Sequence, residues 1–218
     1  MEMLRGKTSL AIDAAALAAR QTGYPHTLID IGTGDGRFVR ALAEQQPNWF
    51  VIGIDACREN LRVRSRAGLP NVLYLIANAR ALPAELGGLA DRLTINFPWG
   101  SLLSGLLDGD PGLLGGLSSV ARPGAGLEIR LNGEAFAEAG ADLESGAAAI
   151  DAVLAGNGFR VRARRMLGPA ELKAFPSTWA RRLAFGRDPR ALALTATRID
   201  SPEIPSGAMS TEINRILS

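Results

Sequence analysis

The chain has 218 residues and a mass of 23.0 kDa, enough for one ordinary domain and too few for two full ones. With 47% hydrophobic and 21% charged residues it can bury a core, which excludes wholesale disorder. Formal net charge is only +2, no run reaches the about 18 apolar residues of a membrane span, and Met1 to Ala19, broken by Glu2, Arg5, Lys7 and Asp13, lacks the apolar block of a secretory leader.

Thr27 to Ile31 is a short β-branched run ending in a glycine-rich turn, the pattern of a buried strand feeding a loop. Gly36 to Gln46 has helical spacing, with Phe38, Val39, Leu42 and Ala43 on one face. Phe50 to Ile54 is a second strand stopped by Asp55, and Arg58 to Arg66 reads as a basic helix. Val72 to Ile76, Leu93 to Phe97 and Gly126 to Leu131 are three further strands. Ser101 to Val120 is Leu-rich and helical, interrupted by Gly-Asp-Pro at 109–111. Ala147 to Ala155 is a last helix, and Phe159 to Met166 and Ala191 to Arg198 are two closing strands around a Pro-containing insert, 167–190. Ser201 to Ser218, polar with two prolines, reads as a loosely held tail. Strand and helix alternate, which argues for a single α/β domain over 1–200, its parallel sheet covered on both faces.

Asp30-Ile31-Gly32-Thr33-Gly34-Asp35-Gly36 sits between the first strand and the first helix. Alternate glycines let the backbone turn sharply and approach a ligand, and Asp55, at the end of the next strand, suits the two hydroxyls of a ribose. The spacing is G-x-G-x-G preceded by a carboxylate, not the G-x-G-x-x-G of a pyrophosphate site. A carboxylate facing the loop suits the sulfonium and amino groups of S-adenosylmethionine; a dinucleotide site and a plain glycine turn are the alternatives.

Asn96-Phe97-Pro98-Trp99-Gly100-Ser101 lies at the end of the fourth strand, the edge where ligands sit in a doubly wound sheet. The Pro98 carbonyl can accept from an exocyclic amine and Trp99 offers a face for stacking; alone, Trp99 is somewhat more readily a core residue. The insert carries a second tryptophan in Ser177-Thr178-Trp179-Ala180-Arg181-Arg182, placed to face Trp99 across a cleft. Extruding a nucleobase costs a few kcal/mol and each base–aromatic stack returns about 1–3 kcal/mol, so two tryptophans can offset the flip where one falls short.

Charge is unevenly distributed. Nine of the residues between Arg160 and Arg190 are basic and two acidic, while Glu134 to Asp151 holds five acids and no base. Arg58, Arg62, Arg64 and Arg66 form another basic cluster. By itself the pattern fits solvated faces as well as a surface for a phosphate backbone. One cysteine, Cys57, excludes an internal disulfide, and with His26 the only histidine a His/Cys metal site is not expected. The chain reads as soluble, metal-free and intracellular.

In these blocks, and most specifically in Phe97-Pro98-Trp99-Gly100 followed by Trp179-Ala180-Arg181-Arg182-Leu183, the chain resembles the aminoglycoside-resistance 16S rRNA (adenine-1408 N1) methyltransferases of the kanamycin–apramycin type. The resemblance implies a class I S-adenosylmethionine-dependent methyltransferase fold, Rossmann-like, its seven-stranded sheet having an antiparallel last strand. It implies cofactor contacts from Asp30, Gly32, Thr33, Gly34, Asp55, Ala79 and Ser101. Trp99 and Trp179 would sandwich the adenine, with Pro98 at its amino group and Ser177 positioning the pocket. Arg181, Arg182, Arg187, Arg62 and Arg66 would bind RNA. The implied partner is the assembled 30S subunit at the helix 44 decoding site, met by a cytoplasmic monomer without membrane or metal. Two departures stand out: Arg80 follows Ala79 where relatives have an acid, and the Ser65 to Pro70 connection is short. The rival readings are a tRNA guanine-N7 methyltransferase, a methyltransferase of small natural products, and a non-catalytic cofactor- or rRNA-binding factor.

Overall fold

The computed structural model describes residues 1–66, 68–185 and 188–199; Arg187 and the tail at 201–218 lie outside them. Its elements in chain order are β1 (Glu2–Arg5), β2 (Thr8–Ala11), α1 (Ala14–Gln21), β3 (His26–Ile31), α2 (Arg37–Gln45), β4 (Trp49–Asp55), α3 (Arg58–Leu61), β5 (Val72–Ile76) and β6 (Ala90–Asn96). There follow α4 (Gly100–Leu107), α5 (Pro111–Val120), β7 (Ala121–Asn132), α6 (Gly133–Glu138), α7 (Leu143–Gly156), β8 (Phe159–Met166), α8 (Pro169–Ala174), α9 (Thr178–Phe185) and β9 (Ala191–Arg198).

One sheet runs β2-β1-β5-β4-β3-β6-β7-β9-β8. β5, β4, β3, β6 and β7 are mutually parallel, and β9 inserts antiparallel between β7 and β8. The seven expected strands and the antiparallel last one are therefore present. Among the described residues the count is nine, because the hairpin β1–β2 adds to the edge by antiparallel pairing of β1 with β5. Four-residue strands are too short to show alternation, and only Leu4 of the hairpin strands is buried.

Adjacent residues of the central strands point to opposite faces. Leu28 and Val51 join a cluster with Val39, Leu61 and Tyr74 beneath α2 and α3, whereas Ile29 and Ile52 join Leu103, Leu113, Ile150 and Leu154 beneath α4, α5 and α7. The sheet is thus covered on both sides. The break at 109–111 is real: Asp110 caps α5, its side chain accepting from Leu113 N–H at 2.9 Å, with Pro111 in the first turn. The basic helix expected over Arg58–Arg66 is instead α3 followed by a separate 3-10 turn at Arg64–Arg66. Like charges four apart at Arg58, Arg62 and Arg66 oppose a continuous helix. Buried Ser65 is turned to accept the Gly6 N–H at 3.0 Å.

The insert folds as α8 and α9, whose Leu172, Ala180 and Leu183 bury against Phe97, Leu167 and Ala193. Between α6 and α7, a Cβ on Gly146 would collide with the Phe136 ring. Gly146→Ala is therefore expected to lower stability by about 1–3 kcal/mol, read as a lower urea midpoint at unchanged slope; a wild-type midpoint would show that Phe136 repacks without cost.

Candidate active site

The neighbours of β3 are β4 on one side and β6 on the other, so the chain reverses its winding direction at the carboxyl end of β3. There a cavity of about 450 Å³ opens, bounded by the loop after β3, Asp55, Ala79, Ser101, Trp99 and Trp179. Its size suits a small-molecule site.

Gly32, Gly34 and Gly36 have φ of 71°, 58° and 71°, the left-handed region that glycine tolerates. A Cβ would lie 2.6 Å from Leu102 at Gly32 and 2.6 Å from Tyr74 at Gly36, while one on Gly34 would meet nothing within 4 Å. Gly34 N–H donates to Asp55 Oδ2 at 2.8 Å; Cys57 N–H and Asn60 Nδ2 hold the other oxygen at 2.8 and 3.2 Å. Asp55 is thereby fixed against the glycine loop at the cavity wall.

Asp30 is 1% exposed. Strand register places it opposite Thr94, whose hydroxyl donates to Oδ1 at 2.7 Å, and Asn96 Nδ2 donates to the same oxygen at 2.8 Å. Asn96 in turn accepts from Arg130 Nη1 at 2.7 Å. Arg130 also pairs with Glu128 at 2.7 Å and lies 4.5 Å from the centre of the Phe175 ring. Burial pushes the Asp30 carboxyl up to about 6, against the opposing hydrogen bonds of Thr94 and Asn96 and the charge of Arg130.

The second motif is bent into place. Phe97 has φ 54° although it is not glycine, a conformation that costs about 1–3 kcal/mol and that its buried ring, edge-on to Phe175 at 5.6 Å, helps to hold. Trp99 is then extended, at φ −128° and ψ 164°, immediately before α4. Its indole N–H is buried without an acceptor among the described residues. Trp179 stands in the first turn of α9, its backbone N–H donating to Ser177 Oγ at 3.2 Å. The two indoles stack at 4.9 Å between ring centres and 30° between planes, and Arg182 lies 5.0 Å over Trp179. Both tryptophans meet as expected, but with their faces in contact and no base-thick gap between them.

Arg181 and Arg182 are exposed and Arg182 borders the cavity, whereas Arg66 lies away from it against Gly6 of the β1–β2 hairpin and Arg62 lies outside the cavity lining. The Arg80 side chain turns to Asp110, Nε to Oδ2 at 3.3 Å, and donates to the Ser101 carbonyl at 3.3 Å. Sequence reasoning missed the contact in which Thr178 Oγ1 donates to Asp35 Oδ2 at 2.9 Å, tying α9 to the glycine loop across 143 residues. It also missed Thr94 and Arg130; the alternation Leu127-Glu128-Ile129-Arg130-Leu131, which sets Glu128 and Arg130 on one face of the strand, was the available signal.

The model of the 16S rRNA (adenine(1408)-N(1))-methyltransferase family matches residues 2–198. A 16S rRNA (adenine(1408)-N(1))-methyltransferase of Escherichia coli is 35% identical over 205 residues, 86% of this chain and 94% of that protein. The crystal structure of such an enzyme from Catenulisporales acidiphilia, with cosubstrate SAM, superposes with a TM-score of 0.83 at 30% identity, covering 94% of this chain and 99% of that one. The 16S rRNA methyltransferase KamB superposes with a TM-score of 0.84 at 33% identity over 92% of this chain and all of its own, 100%.

The raised pKa of Asp30 gives a stability signature. Folded Asp30 keeps its proton to about pH 6, while the ordinary carboxyl loses it near 3.8. The stabilisation from this group is therefore complete below pH 3.8 and lost as pH rises through 6. Relative to Asp30→Asn, which cannot ionise, the wild type should lose about 3 kcal/mol between these limits, measured by urea unfolding at a series of pH values. A constant difference would mean that Asp30 titrates as an exposed carboxyl does.

Proposed function

The chain belongs to the 16S rRNA (adenine(1408)-N(1))-methyltransferase family, and on that premise we propose that it methylates N1 of adenine 1408 in the 16S rRNA of assembled 30S subunits, with S-adenosylmethionine as donor. The modification would alter the helix 44 decoding site and confer aminoglycoside resistance, placing its work in the cytoplasm. The observation that carries this reading is the pair of stacked indoles, Trp99 and Trp179, at the mouth of a cavity floored by a buried carboxylate.

The residues fit the donor. Asp30, ionised at neutral pH despite its raised pKa, offers a negative charge to a sulfonium and an ammonium. Gly32, Thr33 and Gly34 bring backbone to the cavity wall, Asp55 is held ready for ribose hydroxyls, and Ala79 and Ser101 line the remaining wall. When bound, S-adenosylmethionine supplies an electrophilic methyl group on its sulfonium.

The chain's own part is positioning. A base entering between the indoles needs their faces about 7 Å apart, twice the ~3.4 Å of a base stack, so Trp99 and Trp179 must part from the contact they now make. Arg182, over Trp179, and exposed Arg181 would draw in the phosphates on either side of the extruded nucleotide; Arg187 is assigned the same role from sequence. The Pro98 carbonyl accepts from the exocyclic amine and so turns N1 inward. Ser177, which holds the Trp179 N–H, sets the helix that carries the second ring. Adenine N1 is unprotonated near neutral pH, so its lone pair attacks without a general base. Methylation leaves the base positively charged between two aromatic faces, where a cation is favoured.

Trp99→Ala and Trp179→Ala are each expected to lower kcat/KM on 30S subunits about fivefold to a hundredfold, the worth of one base–aromatic stack, with donor affinity kept. In wild-type reactions, reverse transcription should stop at adenine 1408. Near-normal methylation by both variants would rule out the stacked-base account, and label entering tRNA but not 30S subunits would reassign the substrate.

A further inference from the structure

Arg130 has no part in the chemistry above. Its side chain is only 16% exposed, and it does not border the donor cavity; Asn96 and Asp30 do. Taking a guanidinium that far out of water is costly. The ion pair with Glu128 at 2.7 Å on the same strand and the Phe175 ring at 4.5 Å would account for a peg that holds the insert in place. Neither explains the third contact, in which Nη1 donates to Asn96 Oδ1 at 2.7 Å.

That contact decides which way an amide faces. An asparagine can offer a neighbour either its oxygen or its NH2 group, whereas a guanidinium only donates. Asn96 must therefore turn its oxygen to Arg130 and its Nδ2 to Asp30, which it meets at 2.8 Å. A carboxylate is stabilised by a donor at that place. A protonated carboxyl would gain from an acceptor there, and Arg130 keeps the acceptor occupied elsewhere. The positive charge behind the amide acts in the same direction.

Among the described residues Arg130 is the one cation whose charge opposes protonation of Asp30. Arg80 and Arg182 border the cavity but are turned to Asp110 and to the Trp179 ring. Asp35 and Asp55 are the other carboxylates at its wall. Tyr74 of β5 lies in the field of Asp30 and Asp35, with a phenol that burial pushes far up and keeps neutral. Behind Arg130 stand Glu128, Arg165 of β8 and Glu171 of α8, the last two paired with each other at 2.7 Å.

We propose that Arg130 is a positioning residue of the donor site: held on Asn96, it fixes the face that this amide presents and so keeps Asp30 charged toward the cationic end of S-adenosylmethionine. The inference rests on the reading of Asp30 as the donor's counter-charge given above. Arg130 touches neither donor nor base; it prepares the carboxylate before the donor arrives.

The test is the affinity for S-adenosylmethionine, by calorimetry, at a series of pH values between about 5 and 7.5, below the range where an α-amino group loses its proton. Wild-type binding should weaken as pH falls through about 6, where Asp30 takes up a proton. Arg130→Met should move that midpoint up by about one pH unit, so that binding is about fivefold weaker at pH 6 and close to wild type at the upper end of the series. Arg130→Lys, which keeps the charge and a donor, should return the midpoint most of the way. Glu128→Gln removes the acid that shares Arg130 and should move the midpoint down. A wild-type midpoint in Arg130→Met, a loss equal at every pH, or a shift that lysine leaves in full makes Arg130 a packing residue and overturns the proposal. Where Arg130→Met does not fold, Glu128→Gln decides, and a midpoint at or above the wild-type one overturns it. Asp30→Asn checks the reading beneath: it should lose about tenfold or more in affinity at the upper end of the series and show no midpoint. If it binds as the wild type does, Asp30 is not the counter-charge, and the role of Arg130 falls with it.

Discussion

The site is organised around one buried carboxylate. Asp30 ends the strand at which the sheet reverses, and the parallel register of β3, β6 and β7 sets Thr94, Asn96 and Arg130 beside it in a connected row. An ionised carboxyl at that depth needs partners, and those supplied do more than neutralise it. Through Asn96 and Arg130 the same row reaches the Phe175 ring, so the floor of the cavity and the insert that roofs it share one polar chain. What remains of the burial penalty holds the carboxyl well above the ordinary range, at about 6.

Strain and aromatic packing complete the geometry. Phe97 takes up a left-handed backbone immediately before a proline, where the steric preference is extended, and the rings of Phe38 and Phe175, stacked at 5.2 Å, support the turn from the other side. That bend is what allows Trp99, on a strand end, to meet Trp179, on a helix 80 positions later in the chain. Because Asp35 accepts from Thr178, the glycine loop and the helix bearing Trp179 are physically joined, and a change in one is felt by the other.

Positive charge divides into two kinds on this molecule. Arg164 and Arg165 on β8 pair with Asp151 and Glu171, and Arg190 pairs with Asp188, in keeping with a structural function, whereas Arg182 at the cavity mouth and Arg5 at the end of β1 are exposed. Arginine count alone could not separate them, since ion pairs depend on which acids the fold brings close.

Much was readable in the linear chain. Alternation of apolar runs and helical stretches dictated a parallel sheet, because each element buries its own face by a local period, and the glycine turn between β3 and α2 with Asp55 beyond it located the cavity, because turns and strand ends are local features. Gly-Asp-Pro at 109–111 likewise separated α4 from α5. What tertiary structure alone decided are the long-range meetings. The hairpin β1–β2 exists because β5 offers it an edge, four residues being too few to declare a strand. The segment after α3 leaves helical geometry because Ser65 answers a backbone N–H from Gly6. The two indoles touch because a strained turn and a distant helix converge, a contact that no spacing within the chain encodes, since it depends on the packing of elements far apart in sequence.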